Sequence, residues 1–215
     1  MGIFNMKLFK KEKEKSNLDL LFDKVMSKDS QYFDIQKRFI KFYLSHNFIC
    51  VQKNRNSGFS AFMEEIALAE RNDKKNILYI KVGGYEMPKL FKEYRLGIGN
   101  IDFKTKRKIE YRDLAGKRYN IVIIDEAAFL HNLHEIISNI NVICPDGKIV
   151  VCTTPSEKCD CNYTKLRNLF DSSELMGNLF HFKRFDKLQL KRNLHLLSET
   201  DDMDTIINQM FGEFS

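Results

Sequence analysis

The sequence has no tryptophan and no run of 18 apolar residues, and the second absence excludes a membrane-spanning helix of ordinary length. A stretch of signal-peptide length is also missing. The opening Met1-Gly2-Ile3-Phe4-Asn5-Met6 runs almost at once into charge, so secretion is not expected. Position six is neither Ser nor Thr, which discounts the myristoylation site that Gly2 would suggest. There is no internal repeat and no Gly/Ser-rich or Pro-rich linker to divide the chain. The five cysteines (Cys50, Cys144, Cys152, Cys159 and Cys161) are odd in number, which argues against a disulfide framework. Cys159-Asp160-Cys161 is spaced too tightly for a structural zinc site, and a loop is expected there. No single sign of charge dominates: 35 basic residues face 29 acidic ones, for a net charge of +6. That mild excess, concentrated in residues 7–15 and 104–118, suits a nucleic-acid partner without requiring one.

What is present suits one domain with a sizeable core: 215 residues, 43% apolar, 18 of them Phe. Residues 1–16 read as a basic, flexible N-terminal segment, and 17–215 as a single domain whose C-terminal part, from about 157, is less regular. Helical spacing of apolar residues predicts helices over 19–26, 34–45, 60–70, 129–140, 163–170 and 202–210. Short apolar runs predict strands over 48–51, 76–82, 119–124, 148–153 and 179–182, and the basic stretch 87–118 reads as a helix followed by short strands or loops. Uninterrupted apolar strands alternating with helices imply an α/β fold, with a mostly parallel sheet covered by helices on both faces.

Three strand ends carry polar chemistry. Ile121-Val122-Ile123-Ile124 delivers Asp125-Glu126 to the carboxyl edge of the sheet, where α/β proteins place ligands. Two acids at that edge suit metal binding and activation of a water in nucleotide hydrolysis. After the first strand comes Gln52-Lys53-Asn54-Arg55-Asn56-Ser57-Gly58-Phe59-Ser60. As a strict phosphate-loop motif it fails, because Phe59 stands where Lys is usual. The physical parts are nevertheless available: Gly58 for the turn, the following helix for its N-terminal dipole, Ser60 for a hydroxyl, and Lys53 or Arg55 for a cation. Cys152-Thr153-Thr154-Pro155 brings hydroxyls to the same edge, and Gln36 carries an amide able to read both donor and acceptor on an adenine edge.

In this order the four elements resemble the ATPase domain of the large terminase subunit of tailed bacteriophages, the motor that packages viral DNA into procapsids. The resemblance spans about residues 34–155 and is sharpest at YNIVIIDEAAFL (119–130) and VVCTTPS (150–156). It implies a P-loop NTPase (RecA/ASCE-like) fold that uses ATP and Mg²⁺. Gln36 would read adenine, and Lys53 through Ser60 would form the phosphate loop, with Lys53 and Arg55 as its catalytic cations. Ser60 and Asp125 would serve the metal, Glu126 would be the catalytic carboxylate, and Thr153, Thr154 and Pro155 would be the coupling motif. Some terminases, including a lambda-type branch, carry an aromatic residue after the glycine and a lysine at the start of the loop, and Lys53 with Gly58-Phe59-Ser60 looks like that variant. The implied partners are double-stranded DNA, a portal protein and a small terminase subunit, with a homo-oligomeric ring on assembly, in the host cytoplasm. The length leaves no room for the C-terminal nuclease domain of a full large terminase. Two other readings stay open: a degenerate P-loop domain acting as a binding or scaffold module, and a helicase-like RecA domain.

Overall fold

The structure is a computed structural model, and it describes residues 14–82, 100–155 and 163–184. The basic start of the chain, the Cys159-Asp160-Cys161 segment and the helix expected over 202–210 lie outside those residues.

Ser16 starts the first helix, α1 (Asn17–Met26), with a capping box: its hydroxyl accepts the Asp19 N–H, and the Asp19 carboxylate accepts the Ser16 N–H. Helix α2 (Asp34–Ser45) leads into β1 (Phe48–Lys53), then α3 (Phe59–Asn72) and β2 (Ile77–Lys81). Next come β3 (Ile101–Lys104), a short 3₁₀ turn at Tyr111–Asp113, and β4 (Ile121–Asp125). A second 3₁₀ turn, Ala127–Phe129, precedes α4 (Leu133–Ile143), β5 (Lys148–Thr153), α5 (Tyr163–Leu175) and β6 (Leu179–Phe182).

The six strands form one sheet in the order β3-β2-β4-β5-β1-β6, and every pairing is parallel. Its two faces explain the unbroken apolar runs. Ile49, Val51, Ile77, Tyr79, Ile121, Ile123, Val150 and Cys152 pack into one core with α1, α2 and α3. Their neighbours in sequence, Cys50, Leu78, Ile80, Val122, Ile124, Ile149 and Val151, pack into the other with α4 and α5. Both faces being covered, alternation along a strand sorts apolar side chains between two cores instead of between core and solvent.

Two boundaries differ from the sequence reading in ways that matter for the site. The first strand continues past Val51, because Gln52 pairs with Thr153 and Lys53 with Phe182. The helix expected over 129–140 begins instead at Leu133, since Glu126 is left-handed (φ 60°, ψ 48°) and Leu130 is extended (φ −86°, ψ 107°). That irregular backbone holds the residues after β4 at the sheet edge before the helix carries the chain away.

Candidate functional site

Register brings the polar strand ends together. Asp125 pairs with Cys152, and Gln52 with Thr153, so the carboxyl ends of β4, β5 and β1 lie level and adjacent. The loop between β1 and α3 closes over this edge. Asn56 (φ 58°) and Gly58 (φ 83°) both take left-handed backbone. Glycine meets that requirement without strain, and Gly58 forms the N-cap of α3.

The Lys53 ammonium sits at the centre, with its side chain 5% exposed. It lies 2.8 Å from Asp125 Oδ1 and 2.8 Å from Glu126 Oε1, and it donates to Ser60 Oγ at 3.1 Å. Burial by itself would lower the ammonium's pKa; the charges of Asp125 and Glu126 outweigh it and hold the group well above its ordinary value. For the fully buried Asp125, burial pushes the carboxyl up, while the Lys53 charge and hydrogen bond pull harder and hold it below the usual carboxylate range. The other oxygen, Asp125 Oδ2, is buried and has no hydrogen-bond partner among the described residues.

Phe59 packs into the aromatic core beside this charge cluster. It is 1% exposed, its ring meeting Phe39 at 5.0 Å and Phe182 at 4.9 Å between centroids, both edge-on. The residue that displaces the usual lysine therefore anchors the start of α3 in the core. Lys53 stands at the other end of the loop, its Nζ 5.8 Å from the Phe59 ring centroid.

The third strand end closes the arrangement. Thr153 Oγ1 accepts the Ala128 N–H at 3.2 Å and donates to the Thr154 carbonyl at 3.1 Å. The Thr154 N–H lies 3.5 Å from Glu126 Oε2, which is long for a hydrogen bond. The turn carrying Glu126 is thus tied to β5 and to the Thr153-Thr154-Pro155 segment.

A cleft of about 570 Å³ opens above these groups, lined by the Lys53-to-Ala61 loop, Glu126, Thr154 and Pro155, together with Val82, Arg107, Phe129 and Arg184. Lys53, Asn54, Arg55, Asn56, Ser57, Gly58, Phe59, Ser60, Glu126, Thr154 and Pro155 are therefore brought to one cavity, with Asp125 and Thr153 buried beneath it. Gln36 lines a neighbouring depression with Tyr32, Phe33 and Glu65. There its Oε1 accepts the Phe33 N–H at 2.9 Å, so the donor end of the amide is what remains available.

Arg107 and Arg184 line the cleft without standing out in the sequence, while Phe129 is the aromatic residue of the YNIVIIDEAAFL run. Arg184 lies two residues beyond a strand that the apolar pattern predicts, so a cation at a strand's carboxyl end is the available signal. Arg107 lies in the weakly patterned basic stretch and has none. Its position is fixed by contacts distant in sequence: its carbonyl accepts the His131 N–H at 2.7 Å, and the Asn132 side chain brackets Ile109 by donating to its carbonyl at 2.7 Å and accepting its N–H at 3.2 Å.

No protein-family model matches the sequence, and a comparison with curated proteins finds no match. Solved structures do match. The large terminase of a thermophilic bacteriophage superposes with a TM-score of 0.55 at 13% identity, over 94% of this chain and 54% of that one. The fold is shared with a phage large terminase. Another crystal form of that terminase, in complex with ATP-gamma-S, gives a TM-score of 0.50 at 11% identity, over 88% of this chain and 50% of the terminase. The chain spans about half the length of the terminase chains it matches. At such identity the likeness establishes the α/β fold alone, and the chemistry of the site rests on its own residues.

Proposed function

We propose that this chain is an ATP-hydrolysing motor domain of the phage large-terminase type, acting in translocation of double-stranded DNA. One observation carries the reading: a buried lysine, two carboxylates and a serine hydroxyl converge beneath a cleft at the carboxyl edge of a parallel sheet. A triphosphate fits this chemistry. The loop from Asn54 to Ser60 and the N-terminus of α3 offer backbone N–H groups and a positive dipole end to the phosphates. Lys53 would move its charge from the acid pair to the phosphates, and Arg55 and Arg107 stand on the cleft wall to share that charge.

Mg²⁺ also fits the donors present. Ser60 Oγ and Asp125 would hold it, the unmet Oδ2 of Asp125 being a buried oxygen in want of a cation or of water bound to one. When bound, the ion neutralises phosphate charge. Among the described residues no cluster of three or more His, Cys, Asp or Glu forms a metal site by itself, which suits an ion held by one carboxylate, one hydroxyl and the substrate's own oxygens. Glu126, partly exposed at the cleft, would orient the attacking water and take up its proton. Its strained left-handed backbone, an arrangement of order 1 kcal/mol or more for a non-glycine residue, recurs where function fixes the geometry. Thr153, bonded to the Glu126 turn through the Ala128 N–H, and Thr154 beside it would pass the state of the γ-phosphate to β5. Contact with DNA, with portal and small-subunit partners, and assembly into a ring belong to the same proposal, and a phage protein of this type works in the host cytoplasm.

Equilibrium binding of ATP in the presence of Mg²⁺ tests the site. The parent chain is expected to bind saturably, and Lys53→Ala to weaken binding by about tenfold or more, the worth of one charge-assisted contact. A chain that binds no nucleotide, or whose Lys53→Ala variant binds equally well, favours the degenerate scaffold reading instead.

A further inference from the structure

Arg184, at the end of β6, is built into the wall of the cleft by contacts that the phosphate chemistry does not need. The side chain of Asn54, fully buried in the loop after β1, clamps its backbone: Asn54 Nδ2 donates to the Arg184 carbonyl at 2.8 Å, and the Arg184 N–H donates to Asn54 Oδ1 at 3.1 Å. The guanidinium carbon lies 3.6 Å from the centroid of the Phe33 ring, a close cation–π contact. One guanidinium nitrogen lies 3.6 Å from the point where a Cβ on Gly58 would stand, so the group reaches over the loop itself. Phe33 is 43% exposed although it caps α2 beside a packed aromatic core, and its N–H is held by Gln36. A planar cation backed by an aromatic ring thus stands in the wall of the cleft beside the loop, on the ring of the residue whose N–H the Gln36 amide holds.

We infer that Arg184, supported on Phe33, is the platform against which the base of a purine nucleoside triphosphate stacks. This rests on the nucleotide reading of the same cleft. A guanidinium is flat, always charged and weakly hydrated, so it stacks on a π-face, which an ammonium does not do. Stacking is tolerant of base identity, and the donor end of the Gln36 amide suits N7, an acceptor common to adenine and guanine. The Asn54 clamp joins this platform to the phosphate-side loop, so base and phosphates are gripped by one connected unit.

Competition binding to the full chain with ATP, GTP and inorganic tripolyphosphate, each with Mg²⁺, tests the assignment. Arg184→Gln and Phe33→Leu are the variants, and the backbone groups that Asn54 holds remain in both. The expected result for Arg184→Gln is a loss of about tenfold in affinity for ATP and GTP alike. Tripolyphosphate affinity should stay within about twofold of the parent, which also reports an intact loop. Phe33→Leu should show the same pattern with a smaller loss. An equal loss for tripolyphosphate would make Arg184 a phosphate ligand and overturn the inference, as would unchanged ATP affinity in Arg184→Gln. If the parent chain binds neither ATP nor tripolyphosphate, the nucleotide reading falls and takes this inference with it; a parent that binds both isolates the question to Arg184.

Discussion

Lys53 is held by two carboxylates and a hydroxyl in a place where it is 5% exposed. Its charge belongs to Asp125 and Glu126, so it acts as an internal counter-ion. Asp125, being depressed below its ordinary value, contributes stability above the unfolded carboxyl pKa and loses it in acid. Lys53, being raised, contributes below the unfolded amine pKa and loses it in strong alkali. Between about pH 4 and pH 10 the parent's pair therefore gives no slope of stability with pH. Lys53→Met removes the counter-charge and leaves Asp125 buried and weakly compensated. The expected cost at neutral pH is about 3 kcal/mol. Because burial then raises the Asp125 pKa above its unfolded value, stability is recovered as pH falls towards about 4. Urea unfolding of parent and variant at about pH 5 and pH 8 checks this; a variant with the parent's flat profile would show that the ion pair does not hold the site.

At the level of elements, the junction of β1 with α3 decides whether an unusual loop can work. Phe59 opens α3 by inserting into a cluster with Phe39 and Phe182, and Phe39 also meets Phe180 edge-on at 5.2 Å. Restoring the commonplace lysine by Phe59→Lys would place an ammonium among aromatic rings and open a cavity. The expected loss is about 3 kcal/mol or more in unfolding free energy, with no gain in nucleotide affinity. Thermal unfolding checks the first part, and a variant as stable as the parent would contradict the packing described here.

Five of the six strands, the parallel sense of the sheet and the placing of Asp125, Glu126 and Thr154 at its carboxyl edge were legible in the sequence, because apolar runs and the residues that end them are local signals; β3, four half-buried residues in the weakly patterned basic stretch, carries no such run. The destination of Phe59 was not legible. A ring after a glycine reads as an intrusion into the loop until the partners from α2 and β6, distant in sequence, show where it goes. For the same reason nothing local announces the Asn54–Arg184 clamp, which spans 130 positions. The late start of α4 depends on the left-handed backbone at Glu126, a conformation that a glutamate does not signal.

For the whole molecule, the basic stretch over 104–118 offers less free charge than its composition suggests. Lys104 and Lys117 both pair with Asp102, at 3.2 and 2.6 Å, and Arg112 pairs with Glu110 at 2.6 Å. Lys106, Arg107 and Lys108 remain exposed. The strap that bears them is bonded through His131 and Asn132 to the chain following Glu126, which would link a DNA phosphate contact to the turn that carries Glu126. If these residues meet DNA, the chain's affinity for duplex should be independent of sequence and fall steeply with salt. Replacing Lys106 and Lys108 together by Ala should shallow the log–log salt slope by roughly two. A slope identical to the parent's would move the DNA surface elsewhere.

The central claim is that the groups gathered at this sheet edge hydrolyse ATP, and phosphate release measures it most directly. Parent chain and Glu126→Gln should be compared at saturating ATP and Mg²⁺, with duplex DNA present. The account predicts steady turnover by the parent and a fall of about a hundredfold or more for Glu126→Gln, with ATP binding retained, as expected when the group that orients and deprotonates the water is lost. Equal turnover by the two proteins would contradict it.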